Sequence, residues 1–329
     1  MAKIERKEFD QSLHHLVVIL GPTASGKTKL AVELAAKMGG EIISGDSMQI
    51  YRGMDIGTAK IKLIETKGIP HHLIDLKNPD EPFSVADFQQ LARKKIAEIT
   101  AKEKLPFLVG GTGLYLQAVI DPYEFTEQKN VLPYRRKLFA LAEEKGVDYL
   151  YQELAQVDPI SAEKLHPNDL KRVSRALEYY QLTGKPISEN RKAEQKESLY
   201  KVALVGLTME RTLLYQRIEQ RVDQMMENGF LEEVKGLLSK GYSLDLPAMQ
   251  GIGYRQLGDY LQGEYNLKEA VALIKQETRR FAKRQLTWFR RDSRIKWFTT
   301  DQVVVTANPE KDVAELTKEI LDYIGRTLC

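Results

Sequence analysis

The chain has 329 residues, of which 43% are hydrophobic, and it carries a formal net charge of +3. This composition excludes a disordered or fibrous chain and is typical of one large globular domain, or of a core with an inserted lobe. Apolar runs fall short of the roughly 18 residues that cross a membrane, so we expect no membrane association. Residues 1–12 are too charged for a secretory leader, and the single cysteine, Cys329, allows no intrachain disulfide. Both observations predict a cytoplasmic protein.

The first predicted strand is the apolar run Leu16 to Leu20, and a Gly-rich turn separates it from a helical pattern over Thr28 to Lys37. Further short apolar runs predict strands over 41–44, 72–76, 106–109 and 201–207. Helical stretches such as 85–101 lie between them. Alternating strands and helices are typical of a parallel sheet covered by helices. The sequence therefore predicts an α/β fold with a parallel sheet core flanked by helices.

Between Asp121 and about His166 the strand pattern stops, and charged helical segments joined by loops replace it. We interpret residues 123–166 as a helical lobe inserted into a core made of residues 1–122 and 167–329. The C-terminal boundary stays open, because a predicted helix over 169–182 fits either part. In the second case the lobe extends to about residue 196.

Residues 21–28, GPTASGKT, fit the pattern G-x-x-x-x-G-K-[ST] of the P-loop of nucleotide-binding proteins, between a predicted strand and a predicted helix. The glycines let backbone amides turn towards one point, where the helix N-terminus adds positive potential. We expect Lys27 to reach the terminal phosphates and the Thr28 hydroxyl to ligate Mg²⁺. The predicted diphosphate-binding residues are Gly21, Thr23, Ala24, Ser25, Gly26, Lys27 and Thr28.

The predicted strand 106–109 runs into Gly-Gly-Thr-Gly (110–113), whereas the corresponding strand of P-loop NTPases ends in an acid that holds magnesium. The glycines indicate a loop that something approaches closely, with Thr112 offering a hydroxyl. A diphosphate that acts as donor or leaving group therefore suits the phosphate loop better than ATP hydrolysed for work.

Asp46 follows the predicted strand 41–44, so it lies at the sheet edge where the phosphate loop also opens. A carboxylate there can accept a proton from a nucleophile or help to hold a metal; a turn or helix-cap role is the alternative. Gln49 carries the donor and acceptor groups needed to read a base edge. Eight Lys or Arg residues and one acid lie between Arg279 and Lys296. Such a stripe is typical of nucleic-acid binding, with a solvated basic helix as the alternative.

Seven ordered blocks resemble the bacterial tRNA dimethylallyltransferases, also called tRNA isopentenyltransferases. The blocks are GPTASGKT (21–28), DSMQIYRGMDIGTAK (46–60), PHHLID (70–75), VGGTGLYLQA (109–118), HPNDLKRVSRALE (166–178), QGIGYRQ (250–256) and TRRFAKRQLTWFRR (278–291). The resemblance extends from Val17 to about Trp297. A phosphate loop alone is shared by many families, whereas this ordered set is specific.

The resemblance implies transfer of a dimethylallyl group from dimethylallyl diphosphate to the exocyclic amine of the adenosine 3′ of the anticodon. In that reaction Asp46 is the general base, Thr112 and Arg255 also act in catalysis, and Mg²⁺ near Thr28 is the cofactor. The inserted lobe is expected to bind the anticodon stem-loop of the tRNA, and a monomer is expected. The implied tRNA-facing residues are Asp46, Ser47, Met48, Gln49, Thr112, Arg135, Lys171, Arg172, Arg175, Gln250, Gly251, Ile252, Gly253, Tyr254, Arg255, Lys283, Arg284, Gln285, Thr287, Trp288 and Arg290.

Two other functions are compatible with the phosphate loop. A nucleotide or small-molecule kinase also combines this loop with a lid-like helical insertion, followed by a helix that carries Arg172 and Arg175. The basic segment and the missing acid after residues 106–109 count against a kinase. The other alternative is a non-catalytic RNA-binding protein. Along the basic segment, the spacing of Phe281, Trp288 and Phe289 favours core packing over stacking on bases.

Overall fold

The computed structural model describes residues 14–123, 125, 131–191, 198–301 and 309–329. Residues 1–12, on which the expectation about a secretory leader rests, lie outside this part of the chain. The chain forms two compact units, one made of residues 1–120 and 198–329 and the other of residues 121–197. The helices in the described ranges are too short or too polar to cross a membrane.

A six-stranded sheet lies at the centre of the first unit, and each pair of neighbouring strands is parallel. Its strands are β1 (His15–Leu20), β2 (Gly40–Ser44), β3 (His71–His72), β4 (Leu105–Gly110), β5 (Lys201–Thr208) and β6 (Lys296–Thr299). Their order across the sheet is β3-β2-β4-β1-β5-β6. The prediction of an α/β fold with a parallel sheet core is confirmed.

Helices account for most of the remaining described residues. They are α1 (Lys27–Met38), α2 (Val85–Thr100), α3 (Gly113–Ile120), α4 (Val131–Lys145), α5 (Val147–Val157), α6 (Pro159–Lys164), α7 (Leu170–Thr183), α8 (Ile187–Arg191), α9 (Arg211–Glu227), α10 (Phe230–Ser239), α11 (Tyr254–Leu261), α12 (Leu267–Phe289) and α13 (Pro309–Leu328). A short 3₁₀ helix spans Leu63–Thr66. Capping side chains set several helix starts; Ser84, for example, accepts a hydrogen bond from the backbone N–H of Asp87 at the start of α2.

Both faces of the sheet are covered by helices. Successive side chains of a strand point to opposite faces, so alternate residues of one strand pack against different helices. Val17 and Ile19 of β1 pack in one cluster with α1 and α13. Leu16, Val18 and Leu20 pack in the cluster on the other face with α2 and α3. This double covering explains why β1 is a continuous apolar run and not an alternating one.

The second unit is helical and contains α4 to α8. Its core includes Leu138 of α4, Leu154 of α5, and Val173 and Leu177 of α7. Helix α7 therefore belongs to this unit, which continues to residue 197, beyond the boundary placed at residue 166 from the sequence. The unit thus corresponds to the longer of the two alternatives that the sequence left open.

Candidate active site

A cavity opens where the C-terminal ends of β1, β2 and β4 meet. Its wall includes Thr23, Lys27 and Thr28 of the phosphate loop, Asp46 after β2, and Gly111 after β4. The three segments are held together by backbone contacts. The N–H of Gly45 donates to the carbonyl of Val109 at 2.7 Å, and a Cβ on Gly110 would lie only 2.4 Å from the carbonyl oxygen of Gly45. Glycine at position 110 is therefore what allows β2 and β4 to bring their polar ends together.

The phosphate loop has the backbone expected of an anion cradle. Gly26 has φ of 88° and Ala24 has φ of 63°, so both lie in the left-handed region that turns successive amides inward. Helix α1 begins directly after Gly26, at Lys27. The Ser25 hydroxyl is buried and has no hydrogen-bond partner among the described residues. These groups are arranged to receive a ligand with several anionic oxygens.

The ammonium group of Lys27 lies inside this cradle and donates to the carbonyl of Pro22 at 2.5 Å. Burial lowers the pKa of Lys27 to about 7, with a further lowering by the nearby guanidinium of Arg221; Asp46 acts in the opposite direction. Burial makes the charged form of an amine costly in free energy. An anion beside the amine therefore stabilises that charged form strongly. The site is therefore more favourable with a phosphate group bound than without one.

Asp46 faces the same cations from the other side of the cavity. Burial raises the pKa of Asp46, while a hydrogen bond from the N–H of Met48 and the charges of Lys27 and Arg221 oppose that rise. Its Oδ1 accepts from the N–H of Met48 at 2.9 Å, so the turn role considered as an alternative is real. The carboxylate nevertheless also lines the cavity. A carboxylate with a raised pKa, facing a ligand cavity, is suited to accepting a proton.

The amide of Gln49 also lines the cavity, in a fixed orientation. Its Oε1 accepts from the Ser44 hydroxyl at 2.9 Å, and its Nε2 donates to the carbonyls of Thr58 and Ala59 at 3.3 and 3.5 Å. Internal contacts thus use part of the capacity that the sequence assigned to reading a base. One lone pair on Oε1 remains for a ligand, whereas the two carbonyls engage both N–H groups of the amide. Recognition of a base by Gln49 stays a prediction.

The Gly-Gly-Thr-Gly loop is approached closely by α12, which identifies what the glycines make room for. A Cβ on Gly111 would lie 2.2 Å from Nε2 of Gln285, and one on Gly113 would lie 2.2 Å from the Trp288 ring. Thr112, between them, accepts a hydrogen bond from the N–H of Ser47 at 3.3 Å. The loop therefore joins α12 to the turn that carries Asp46.

Gln285 bridges the two loops from its place on α12. Its Oε1 accepts from the N–H of Thr23 at 2.9 Å, and its Nε2 donates to the carbonyl of Gly111 at 2.9 Å. The residue is only 6% exposed. Both ends of its amide hold the phosphate loop and the glycine loop, and the residue also lines the cavity. Its assignment to the tRNA-facing set stays a prediction.

Two arginines of α9 were missed in the sequence, because they lie outside every motif block. Arg221 lines the cavity, and its burial lowers the pKa of its guanidinium, while Asp46 opposes that shift. Arg217, one turn earlier, donates through Nε to the carbonyl of Ala24 at 3.0 Å. Their spacing of four residues on one helix face was the available signal. The predicted catalytic cation, Arg255, is instead exposed on α11 and is not part of the cavity wall formed by the described residues.

The block 250–256 contributes core residues as well as surface. Tyr254 is 1% exposed, packs edge-on against Phe230 and donates from its hydroxyl to Glu233 at 2.6 Å. The Tyr254 hydroxyl is thus used within the protein, and the assignment of Tyr254 to the tRNA-facing set stays a prediction. Gly253 is buried too, Gly251 and Ile252 are half-buried, and Gln250 is exposed.

Glu233 is a further residue whose role the sequence did not reveal. Its carboxylate accepts from three consecutive backbone amides, those of Asp55, Ile56 and Gly57, at 2.9, 2.7 and 3.1 Å. It also holds the Tyr254 hydroxyl. Glu233 therefore fixes the turn that leads to residues 58 and 59, whose carbonyls orient Gln49.

The predicted tRNA-facing cations are partly exposed and partly held within their own unit. In the helical unit, Glu178 is fully buried; Arg135 donates to it at 2.8 Å through Nη2, and Arg175 lies 3.6 Å away. Lys171 and Arg172 of α7 are exposed. The predicted tRNA-facing residues on α12 and at its C-terminal end that are exposed are Lys283, Arg284, Thr287, Trp288 and Arg290.

The aromatic residues of the α12 segment do not share one role. Phe289 is 3% exposed and belongs to the core, whereas Trp288 is 39% exposed and covers Gly113. Phe281 lines the cavity. The core-packing interpretation therefore holds for Phe289 only.

Comparison with known proteins gives consistent matches. A family model described as IPP transferase matches residues 49–292. A tRNA dimethylallyltransferase of Geobacillus thermodenitrificans is 52% identical over 95% of this chain and 97% of the relative. A solved tRNA isopentenylpyrophosphate transferase from Bacillus halodurans is 47% identical, with a TM-score of 0.70, over 95% of this chain and 98% of the other. A eukaryotic dimethylallyltransferase acting on tRNA is 30% identical, with a TM-score of 0.78, over 91% and 77% of the two chains.

Proposed function

The chain belongs to the IPP transferase family, and from that premise we propose that it alkylates the exocyclic amine of the adenosine 3′ of the tRNA anticodon. Dimethylallyl transfer to tRNA is the activity of this enzyme, as it is of the curated relatives that share about half of its residues. The proposal adds the acceptor atom and the roles of individual side chains. It rests above all on the meeting of Lys27, Arg221 and Asp46 at one cavity.

The three side chains divide the reaction between them. The amine nitrogen attacks the allylic carbon of the donor while the carbon–oxygen bond to the diphosphate breaks, and the amine proton passes to Asp46. The bonding electrons leave with the diphosphate, whose added negative charge is neutralised by Lys27, Arg221 and the loop amides. Because the lone pair of the adenine amine is delocalised into the ring, removal of its proton by Asp46 assists bond formation.

The rest of the cavity wall suits an allylic diphosphate. Ile42, Ile61, Ile74 and Val109 supply an apolar surface beside the phosphate loop. A dimethylallyl group is a small hydrocarbon that gains free energy on leaving water for such a surface. Exclusion of water there also protects the activated donor from hydrolysis.

We further propose Mg²⁺ as the cofactor, held by the hydroxyl of Thr28 and by oxygens of the donor. Thr28 lies on the cavity wall next to the cradle, and Mg²⁺ in phosphate sites takes few protein ligands and keeps several waters. The ion would supply positive charge to the leaving diphosphate. Thr28 itself positions its oxygen at the N-terminus of α1, where the diphosphate binds.

The exposed face of α12 is proposed as the tRNA-binding face. Lys283 and Arg284 are exposed there, and so is Arg290 at the C-cap, while Gln285 on the buried face contacts the donor cradle. Cations placed in this way bind RNA phosphates with an affinity that falls as salt increases. The enzyme is further proposed to act as a monomer, because the described residues that line the cavity all belong to one unit. Its substrate tRNA places the proposed reaction in the cytoplasm.

The test is transfer of label from radiolabelled dimethylallyl diphosphate to an unmodified anticodon stem-loop. We expect labelled RNA with adenosine 3′ of the anticodon and none with inosine there, because inosine lacks the exocyclic amine. Equal labelling of the two RNAs would contradict the proposed acceptor atom. Unlabelled RNA together with ATP-dependent phosphorylation of a small molecule would support the kinase alternative.

A further inference from the structure

Two neighbouring apolar side chains project into solvent from the 3₁₀ helix Leu63–Thr66. Leu63 is 89% exposed and Ile64 is 86% exposed, whereas the next most exposed large hydrophobic residue in the described ranges, Ile160, is at 42%. Single surface leucines are ordinary, but an adjacent pair with almost no covering is not. We call Leu63 and Ile64 the apolar pair.

The apolar pair is held outward by a turn with its own hydrogen bonds. The hydroxyl of Thr66 donates to the carbonyl of Leu63 at 2.7 Å, and the N–H of Lys62 donates to Glu65 Oε2 at 2.9 Å. Thr66 is 9% exposed, so the turn is fixed to the body of the unit on its inner side. The exposure of the pair is therefore a property of a defined turn.

The chain segment that carries the apolar pair leaves the cavity wall at Ile61 and returns to it at His71. Two peptide units separate Ile61 from Leu63, so their Cα atoms lie at most about 7.6 Å apart. The apolar pair thus stands beside the cavity that holds Asp46, without being part of its wall. Ile61, and not the apolar pair, lines the cavity.

The surroundings of the apolar pair favour RNA as its partner. Lys62 and Lys67 flank the turn and are both exposed, and the one acid between them, Glu65, accepts a hydrogen bond from the N–H of Lys62. Cations on both sides of two bare aliphatic side chains fit a ligand with phosphates outside and flat apolar surfaces inside, which describes a nucleic-acid loop. A hydrophobic protein partner would not require the two lysines.

We propose that Leu63 and Ile64 act as a wedge that enters the base stack of the anticodon loop, in the gap left by the target adenosine. The inference rests on the proposed function, in which that base must leave its stack to reach the donor. Proteins that open nucleic-acid stacks insert leucine and isoleucine side chains in this way. The wedge holds the opened loop while the adenosine occupies the cavity.

The experiment measures base extrusion directly, with 2-aminopurine at the target position of an anticodon stem-loop. This fluorescent base brightens when it leaves the stack. We expect brightening with the wild-type enzyme and its loss in Leu63→Ser/Ile64→Ser, together with a fall of about tenfold or more in kcat/KM on the adenosine stem-loop. Donor affinity should stay unchanged, and so should the melting temperature, since the substituted side chains are exposed.

Leu199→Ser, which alters a less exposed leucine (37%) elsewhere in the same unit, is the control for loss of a surface leucine away from the turn. A linear oligonucleotide of the loop sequence is the second control, because weaker stacking should shrink the defect of the double variant. Equal brightening by wild type and double variant would overturn the wedge, as would a parallel loss of donor affinity or an equal defect on the linear oligonucleotide. Failure of the wild-type enzyme to brighten the probe would instead contradict the proposed extrusion of the base.

Discussion

A methyl group added at Gly111 tests whether α12 supports the donor cradle through Gln285. The added Cβ would lie 2.2 Å from Gln285 Nε2, well inside van der Waals contact. No backbone strain contributes, because Gly111 is not among the residues with positive φ in the described part of the chain. Gly111→Ala therefore has to displace the Gln285 amide or shift α12.

The cost follows from the contacts that the methyl group disturbs. Overpacking of a filled site costs about 1–3 kcal/mol. If the amide leaves, the N–H of Thr23 and the carbonyl of Gly111 lose their partner, and an unsatisfied buried group costs about 1–3 kcal/mol. Thr23 is only half-buried, so water restores part of this loss. We expect Gly111→Ala to lower the free energy of unfolding by about 2–4 kcal/mol, which corresponds to a fall in Tm of about 4–8 °C for a unit of about 250 residues.

A double-mutant cycle with Gln285→Ala isolates the contact. Truncation of Gln285 makes room for the methyl group, so in that background Gly111→Ala should cost less than about 1 kcal/mol. Thermal unfolding and the Kd of the donor are measured for all four proteins. Gly236→Ala is the control, because nothing lies within 4 Å of its added Cβ and α10 should gain up to about 1 kcal/mol.

Additive effects of Gly111→Ala and Gln285→Ala would refute this reasoning. They would show that the methyl group does not compete with the Gln285 amide. An unchanged donor Kd in Gly111→Ala, despite loss of stability, would show that the bridge stabilises the fold without supporting the cradle.

Three further predictions concern charged groups. Because burial and Arg221 lower the pKa of Lys27 to about 7, donor binding should take up a proton at about pH 8, where the free amine is largely neutral, and much less at about pH 6. Calorimetry in buffers of different ionisation enthalpy measures this uptake, and no buffer dependence at the higher pH would contradict it. Arg284→Glu should weaken stem-loop binding and reduce its salt dependence while donor affinity stays normal; equal loss of both affinities in filter binding would mean that the segment is structural. Glu233→Ala leaves three backbone N–H groups without their acceptor and should lower the free energy of unfolding, measured by denaturant titration, by about 2–4 kcal/mol. Lys235→Ala, at an exposed neighbouring position, should lower it by less than about 1 kcal/mol. Similar losses for these two variants would contradict the assigned role of Glu233.

The features that could be predicted from the sequence are those encoded locally. The strand, glycine turn and helix of residues 16–37 lie within one continuous segment, and the phosphate loop appears where the motif requires it. Asp46 follows its strand directly, so its place at the sheet edge also follows from chain order. Such features depend on short-range patterns that long-range packing did not override.

The features that could not be predicted depend on residues distant in the chain. Gly111 is explained by Gln285, 174 residues later, and the sequence gives no sign of which segment will approach it. Arg221 reaches the cavity from α9 only because that helix packs beside the phosphate loop. Tyr254 lies in a motif that suggests a functional residue, yet its hydroxyl is used in a buried hydrogen bond to Glu233. A motif thus identifies a region, and tertiary contacts decide what each of its side chains does.

The central claim, that Asp46 takes the amine proton while the cradle holds the leaving diphosphate, is tested most directly by single-turnover transfer with Asp46→Asn. Asparagine keeps the size of the side chain but cannot act as a base at neutral pH. We expect transfer of the labelled dimethylallyl group to the stem-loop to fall by about 100-fold or more, with unchanged stem-loop affinity. Transfer by Asp46→Asn at the wild-type rate would contradict the account.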